Sequence, residues 1–263
     1  MDITNNKIDG ICYKYLKNKN KVNTLVFLHG LTGDSSIWNE YIRKFDTNFN
    51  ILLIDLFGHG DSDSPITIED YLFQNQLKII LKIIRKLKIQ SIILVGYSYT
   101  AHLCLMLYNK IPKKIKSIIF VSPYFKKRRF FENIFFRSIK IIWEFLVPNK
   151  KHKLDYSKLQ NYEKPTFLDI RHILKSINTK DILGSIYSFR SIREVPNLES
   201  VKVPVLVIYG ENDKGFLRNN VENLNDLKNI KYVILKNKNH LFLKTESKNV
   251  SKIIKSFLRK TVS

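Results

Sequence analysis

Six short apolar runs recur along the chain: "TLVFLHG" (24–30), "ILLIDL" (51–56), "SIILVGYS" (91–98), "SIIFVSP" (117–123), "PVLVIYG" (204–210) and "KYVILK" (231–236). Each is too short for a helix. Each is also too continuously Val, Ile, Leu and Phe for a strand with one wet face, and so fits a strand buried on both sides. Stretches of helical apolar period lie between and after them, at 67–87, 99–110, 218–228 and 246–260. This alternation predicts an α/β fold, a mostly parallel sheet flanked by helices. "KIDGICYKYL" (7–16) is expected to pair antiparallel at the leading edge. Residues 67–87 are expected to form one helix, with the Thr67 hydroxyl capping the first turn and Asp70 completing a capping box.

The alternation breaks once, between residues 124 and 196, where only helical patterns occur: "RRFFENIFFRSIKIIWEFLV" (128–147), then shorter pieces around 166–177 and 180–190. A helical block after one strand, with the β/α pattern resuming afterwards, predicts a cap over one end of the sheet. The expected organisation is a core of residues 1–123 and 197–263 with an all-helical cap inserted at 124–196. Phe131, Ile134, Phe135, Ile142 and Phe145 are expected to pack over the site. Phe131, Phe135 and Trp143 are candidates for the pocket lining, which favours an apolar acyl or leaving group.

Charge and cysteine usage narrow the function classes. The formal charge is +22, but lysines spread over most segments, so the excess reads as compositional; a nucleic-acid footprint would cluster on one face. One cluster stands out, Lys126, Lys127, Arg128 and Arg129, where the chain enters the cap. Two cysteines, Cys12 and Cys104, make no disulfide framework and suit a reducing cytoplasm. The N-terminal "MDITNNKIDG" lacks the basic and apolar regions of a signal peptide. No window approaches the roughly 18 uncharged apolar residues of a membrane span. No Cys/His pair has zinc spacing and no carboxylate set suggests a cage, so no metal is expected.

The chemistry concentrates at strand ends. "GYSYT" (96–100) places Ser98 between a strand and a helix, where a tight bend would present its hydroxyl; Gly96 keeps the bend open, and Thr100 asks for more room than a small residue would. Glycine at position 100 is therefore expected to be tolerated. An activated serine needs a base, and the base an orienting acid. An acidic turn, Glu211-Asn212-Asp213, follows the fifth run, and His240 follows the sixth. In a parallel sheet these strand ends share one edge, so the groups converge. Of the other histidines, His29 and His59 lie in glycine-containing loops and are expected to shape backbone, while His102, His152 and His172 read as packed or surface side chains.

With these motifs in order, the chain resembles the α/β-hydrolase superfamily: "FLHGLTG" (27–33), "DLFGHGDSD" (55–63), the serine bend, "GENDK" (210–214) and "NHLFLKTESKNVSKIIKSFL" (239–258). The resemblance implies the α/β-hydrolase fold and a serine–acid–histidine triad. Ser98 would be the nucleophile, His240 the general base and acid, and Asp213 rather than Glu211 the orienting acid. It also implies an oxyanion hole formed by the backbone N–H groups of Leu31 and Tyr99. The implied activity is cleavage of a carboxylic ester or thioester, with water attacking an acyl-enzyme and no cofactor. The alternatives are a carbon–carbon bond hydrolase or lyase using the same triad, and a ligand-binding or signalling protein of low turnover. The superfamily includes esterases acting on acyl groups carried by an acidic carrier protein, and the 126–129 cluster would suit such a partner.

Overall fold

The computed structural model describes residues 3–31, 33–125, 179–190, 200–213 and 229–261. Among these, the strands are β1 (Ile3–Ile8), β2 (Ile11–Leu16), β3 (Asn23–Leu28), β4 (Asn50–Asp55), β5 (Ser91–Tyr97), β6 (Ile115–Val121), β7 (Val205–Gly210) and β8 (Ile230–Leu235). They form one sheet in the order β1-β2-β4-β3-β5-β6-β7-β8. From β4 to β8 every pairing is parallel. All six apolar runs are strands. The leading segment is a hairpin: β1 and β2 pair antiparallel, and β2 pairs antiparallel with β4. Its two-residue turn is Asp9-Gly10, both at positive φ, the conformation that matches the strands' own twist.

Side chains alternate across the sheet, and each face has its own core. On one face Val26, Leu28, Leu94 and Phe120 join buried residues of α2 (Phe73–Lys86) and α3 (Ala101–Lys110). On the other, Leu25, Phe27, Val95 and Ile119 join Tyr41 and Phe45 of α1 (Asn39–Phe45), and Val250, Ile254 and Phe257 of the C-terminal helix. That helix spans Ser247–Thr261. Burial on both faces explains the continuous apolar runs of β3 to β7. The run of β8 departs from the expected burial on both sides: it stands at the sheet edge, with Lys231 and Ile234 exposed and Leu235 buried, because only one neighbouring strand pairs with it.

The segment 67–87 departs from the expected single helix. A short 3-10 turn covers Ile68–Tyr71, Leu72 is extended at ψ 137°, and α2 begins at Phe73. The Thr67 hydroxyl donates to the Asp70 carboxylate at 2.7 Å and caps no backbone N–H. Side chains fasten the backbone at the break: Gln76 donates to the Tyr71 carbonyl at 2.6 Å, and Asn75 to the Glu69 carbonyl at 3.0 Å, which also accepts the Leu72 N–H. The break sets Tyr71 against the one described helix of the expected cap, α4 (Thr179–Arg190). The Tyr71 hydroxyl donates to the buried Asp181 carboxylate, which also accepts from the Ser64 hydroxyl at 2.9 Å.

Of the expected cap, 124–125 and 179–190 are described, so most of its proposed boundaries, with Phe131, Phe135 and Trp143 and the cluster 126–129, lie outside the described residues. The helix expected at 218–228 lies outside them as well. Leu183, Ile186, Tyr187 and Phe189 of α4 pack on the α2/α3 side of the core.

Candidate active site

Every candidate residue follows the carboxyl end of a parallel strand: Leu31 after β3, Ser98 after β5, Asp213 after β7 and His240 after β8. Sheet order separates β5 from β8 by three strand spacings, about 14 Å. The loops must therefore bend back over the sheet edge for the groups to meet, and they do. His240 Nε2 lies 3.0 Å from Ser98 Oγ, and His240 Nδ1 lies 2.8 Å from Asp213 Oδ2. The Asp213 side chain is 3% exposed and that of His240 27%, so the buried acid holds an imidazole whose far side stays reachable.

Ser98 has φ 57°, in the left-handed region, between the extended Tyr97 and the first turn of a helix. A serine there carries backbone strain of roughly 1–3 kcal/mol, which the surrounding packing must hold. Gly96 makes the bend feasible, because a Cβ on it would lie 2.6 Å from Cys104 Sγ in α3. Thr100 does more than fit. It is fully buried, its hydroxyl oxygen accepts the Tyr97 N–H at 3.1 Å, and it lies 2.9 Å from the Tyr97 carbonyl. The expectation that glycine would be tolerated here left this hydroxyl out of account: it satisfies a buried backbone donor at the bend. Thr100→Val keeps the shape and orphans that N–H, so the unfolding free energy from urea titration should fall by about 1–3 kcal/mol, while Thr100→Ser should lose much less.

The two rival acids separate in space. Glu211 Oε2 accepts the Asn237 N–H at 2.9 Å in an exposed turn, and Asp213 faces the imidazole. The backbone joins the two loops, with Asn212 N–H donating to the Lys238 carbonyl at 2.8 Å and Glu211 N–H to the Leu235 carbonyl at 2.9 Å.

Two histidines shape the Leu31 loop. His29 is fully buried; its Nε2 accepts the Leu56 N–H at 3.0 Å, so its proton sits on Nδ1 and is donated to the Gly30 carbonyl at 2.8 Å. Burial holds the His29 pKa well below its ordinary value, consistent with this neutral form. A trans peptide points its C=O and N–H in opposite directions, so fixing the Gly30 carbonyl also fixes the Leu31 N–H. The Leu31 carbonyl in turn lies 2.6 Å from His59 Nε2. Tyr99, in the first turn after the bend, has no carbonyl one turn back for its N–H to meet inside that helix. The loop after β4 winds around Asp55, whose carboxylate accepts the Ser35 and Asp61 N–H groups at 2.7 and 3.1 Å while burial pushes its pKa up. Asp61 and Cys12 approach the same carboxylate, all within 4.8 Å; both Asp55 oxygens are thereby engaged by backbone, and the cluster reads as a loop fastening.

The sequence reading missed an aromatic cluster formed by Tyr99, which follows the serine, with Tyr124 and Phe189. Tyr124 N–H donates to the Ser98 carbonyl at 3.2 Å, and its ring lies 4.9 Å from that of Phe189 in α4, which in turn lies 6.2 Å from Tyr99. Only the apolar stripe of 180–190 hinted at Phe189. No described helix is long and apolar enough to cross a membrane.

The sequence model described as "alpha/beta hydrolase fold" matches residues 23–161. Over 263 aligned positions the chain is 25% identical to a putative 2-succinyl-6-hydroxy-2,4-cyclohexadiene-1-carboxylate synthase of Bacillus subtilis, covering 95% of this chain and 96% of that protein. It is also 25% identical to putative esterase/lipase 2 of Mycoplasma genitalium, covering 75% and 74% of the two chains. Among solved structures, MenH from S. aureus superposes with a TM-score of 0.74 at 24% identity, covering 95% of this chain and 99% of that one. A thioesterase domain from the curacin biosynthetic pathway gives 0.76 at 19%, covering 97% and 99%. The two structures share the fold. With more than half its length matched by the family's own pattern, on the same strands that carry the serine bend, the chain belongs to the alpha/beta hydrolase fold family.

Proposed function

We propose that the chain is a serine hydrolase that cleaves a carboxylic ester or thioester of a small, largely apolar acyl substrate through an acyl-enzyme. The observation that carries this reading is the relay Ser98–His240–Asp213 at 3.0 and 2.8 Å, built on a serine held at positive φ. Ser98 Oγ would attack the acyl carbon while its proton passes to His240 Nε2, and Asp213 would stabilise the imidazolium. The tetrahedral oxyanion would take hydrogen bonds from the Leu31 and Tyr99 N–H groups, typically worth ~3 kcal/mol each. On collapse the C–O or C–S bond breaks and the leaving group takes the proton from His240. Water, deprotonated by the same imidazole, then releases the acid and regenerates Ser98. The ring cluster of Tyr99, Tyr124 and Phe189 supports an apolar acyl group.

The test is labelling by a fluorophosphonate, followed by p-nitrophenyl esters of graded length beside acyl thioesters. The expected result is one adduct on the Ser98 peptide and a burst of p-nitrophenol matching the enzyme concentration. A folded protein that takes no label would overturn the reading in favour of a ligand-binding role. A second reading is a carbon–carbon bond hydrolase or lyase in which the same triad supplies the base; the full-length likeness to a protein named as a putative synthase, not an esterase, supports a reaction other than ester cleavage. Ester turnover with a burst supports the first reading; its absence in a protein that still labels supports the second.

A further inference from the structure

His240 sits in a loop with little burial of its own. Residues 236–241 are exposed or half-buried, between the buried Leu235 and Phe242. Its distance from Ser98 must nevertheless be held to within a few tenths of an ångström for proton transfer. Asp213 grips the ring. The backbone that carries the ring meets a second group, Tyr97.

Tyr97 immediately precedes Ser98 in the chain and is 5% exposed. Its hydroxyl donates to the His240 carbonyl at 3.0 Å, and its ring stacks on the imidazole with centroids 5.6 Å apart and planes 25° apart. The same ring fills the space over Gly30, where a Cβ would lie 2.7 Å from Tyr97 Cδ1. One rigid side chain thus touches the serine bend through its backbone, the Gly30-Leu31 loop through its ring edge, and the histidine loop through its ring face and hydroxyl. Burial raises the phenol pKa, so the hydroxyl stays a donor.

We infer that Tyr97 is a positioning residue that sets His240 against Ser98 and supports its imidazolium, a role that rests on the serine-hydrolase reading above. Two physical effects combine. The hydroxyl fixes the His240 carbonyl, and through it the origin of the side chain that must meet Ser98 Oγ. The ring face then presents its electron-rich side to an imidazole that becomes cationic on taking the Ser98 proton, a contact that strengthens as charge develops.

Two variants separate these effects. Tyr97→Phe keeps the ring and removes the bond to the His240 carbonyl; Tyr97→Leu removes both. Each is measured with p-nitrophenyl butyrate, with rates expressed per site titrated by a fluorophosphonate, and KM is determined alongside. Tyr97→Phe should lower kcat per titrated site about fivefold, the scale of one hydrogen bond. Tyr97→Leu should lower it about 10²-fold, the scale of a misplaced catalytic group. KM should stay within about twofold in both, because Tyr97 acts through His240. A purely structural role would reduce the number of titrated sites and leave kcat per site unchanged, and that result in Tyr97→Phe would overturn the inference; so would a loss confined to KM. If Tyr97→Leu does not fold, Tyr97→Phe decides alone. A wild-type protein that takes no label would overturn the serine-hydrolase reading itself, and the role of Tyr97 with it. Labelling in wild type with unchanged kcat in both variants would remove only the latter.

Discussion

Ser98→Ala is expected to bring ester turnover to background, a loss of about 10⁶-fold in kcat on the scale seen when the nucleophile of such a relay is removed. The members of a relay act as a unit: without Oγ, no covalent intermediate forms and the 3.0 Å contact with His240 has no proton to move. The fold should survive, because Ser98 is half-buried and its hydroxyl supports no core contact. Alanine must still adopt φ near 57°, a strain the wild-type serine already bears. Steady-state assay beside thermal unfolding checks both halves. Retention of more than a few per cent of kcat, with contaminating esterase excluded, would remove Ser98 from the role.

Asp213→Asn is expected to cost about 10⁴-fold in kcat with little change in stability, because the amide can donate to Nδ1 and so favours the wrong imidazole tautomer. The paired variant Glu211→Gln should cost less than about threefold, since among the described residues Glu211 accepts the exposed Asn237 N–H, a bond an amide oxygen can also accept, and Asp213 faces the ring. The two together form a test of placement. Heavy loss from Glu211→Gln with mild loss from Asp213→Asn would move the orienting acid by two residues.

Much of the architecture was legible in residues. Six apolar runs became six strands: in β3 to β7 burial on both faces leaves few polar positions to interrupt them, while β8 keeps an apolar run at the sheet edge with Ile234 exposed. Residues 7–16 were legible as an antiparallel edge but not as two strands: the Asp9-Gly10 turn divides them, and β1 begins at Ile3. The order serine, acid, histidine placed all three groups at strand ends, and a parallel sheet sends those ends to one side. Local reading failed where a side chain's partner came from elsewhere in the chain. Thr67 and Asp70 have the spacing of a capping box, but the segment breaks at Leu72, where Gln76 and Asn75 donate to the Tyr71 and Glu69 carbonyls and the Tyr71 side chain turns to Asp181. Thr100 looked like a misfit at a glycine position. Only the folded bend shows its hydroxyl answering the Tyr97 N–H three residues back.

The sequence by itself determined the six strands β3 to β8, their parallel architecture and which residue types stand at the sheet's carboxyl edge, because those follow from hydrophobic period and chain order. The tertiary structure alone decided how the loop after β8 returns across two strands to Ser98, that Tyr97 lies against His240, and that Phe189 lies against Tyr99 and Tyr124. These depend on distances between residues far apart in the chain, Ser98 and His240 being 142 positions apart. Local pattern carries no information about such distances until the sheet fixes its strand order and the loops close over its edge.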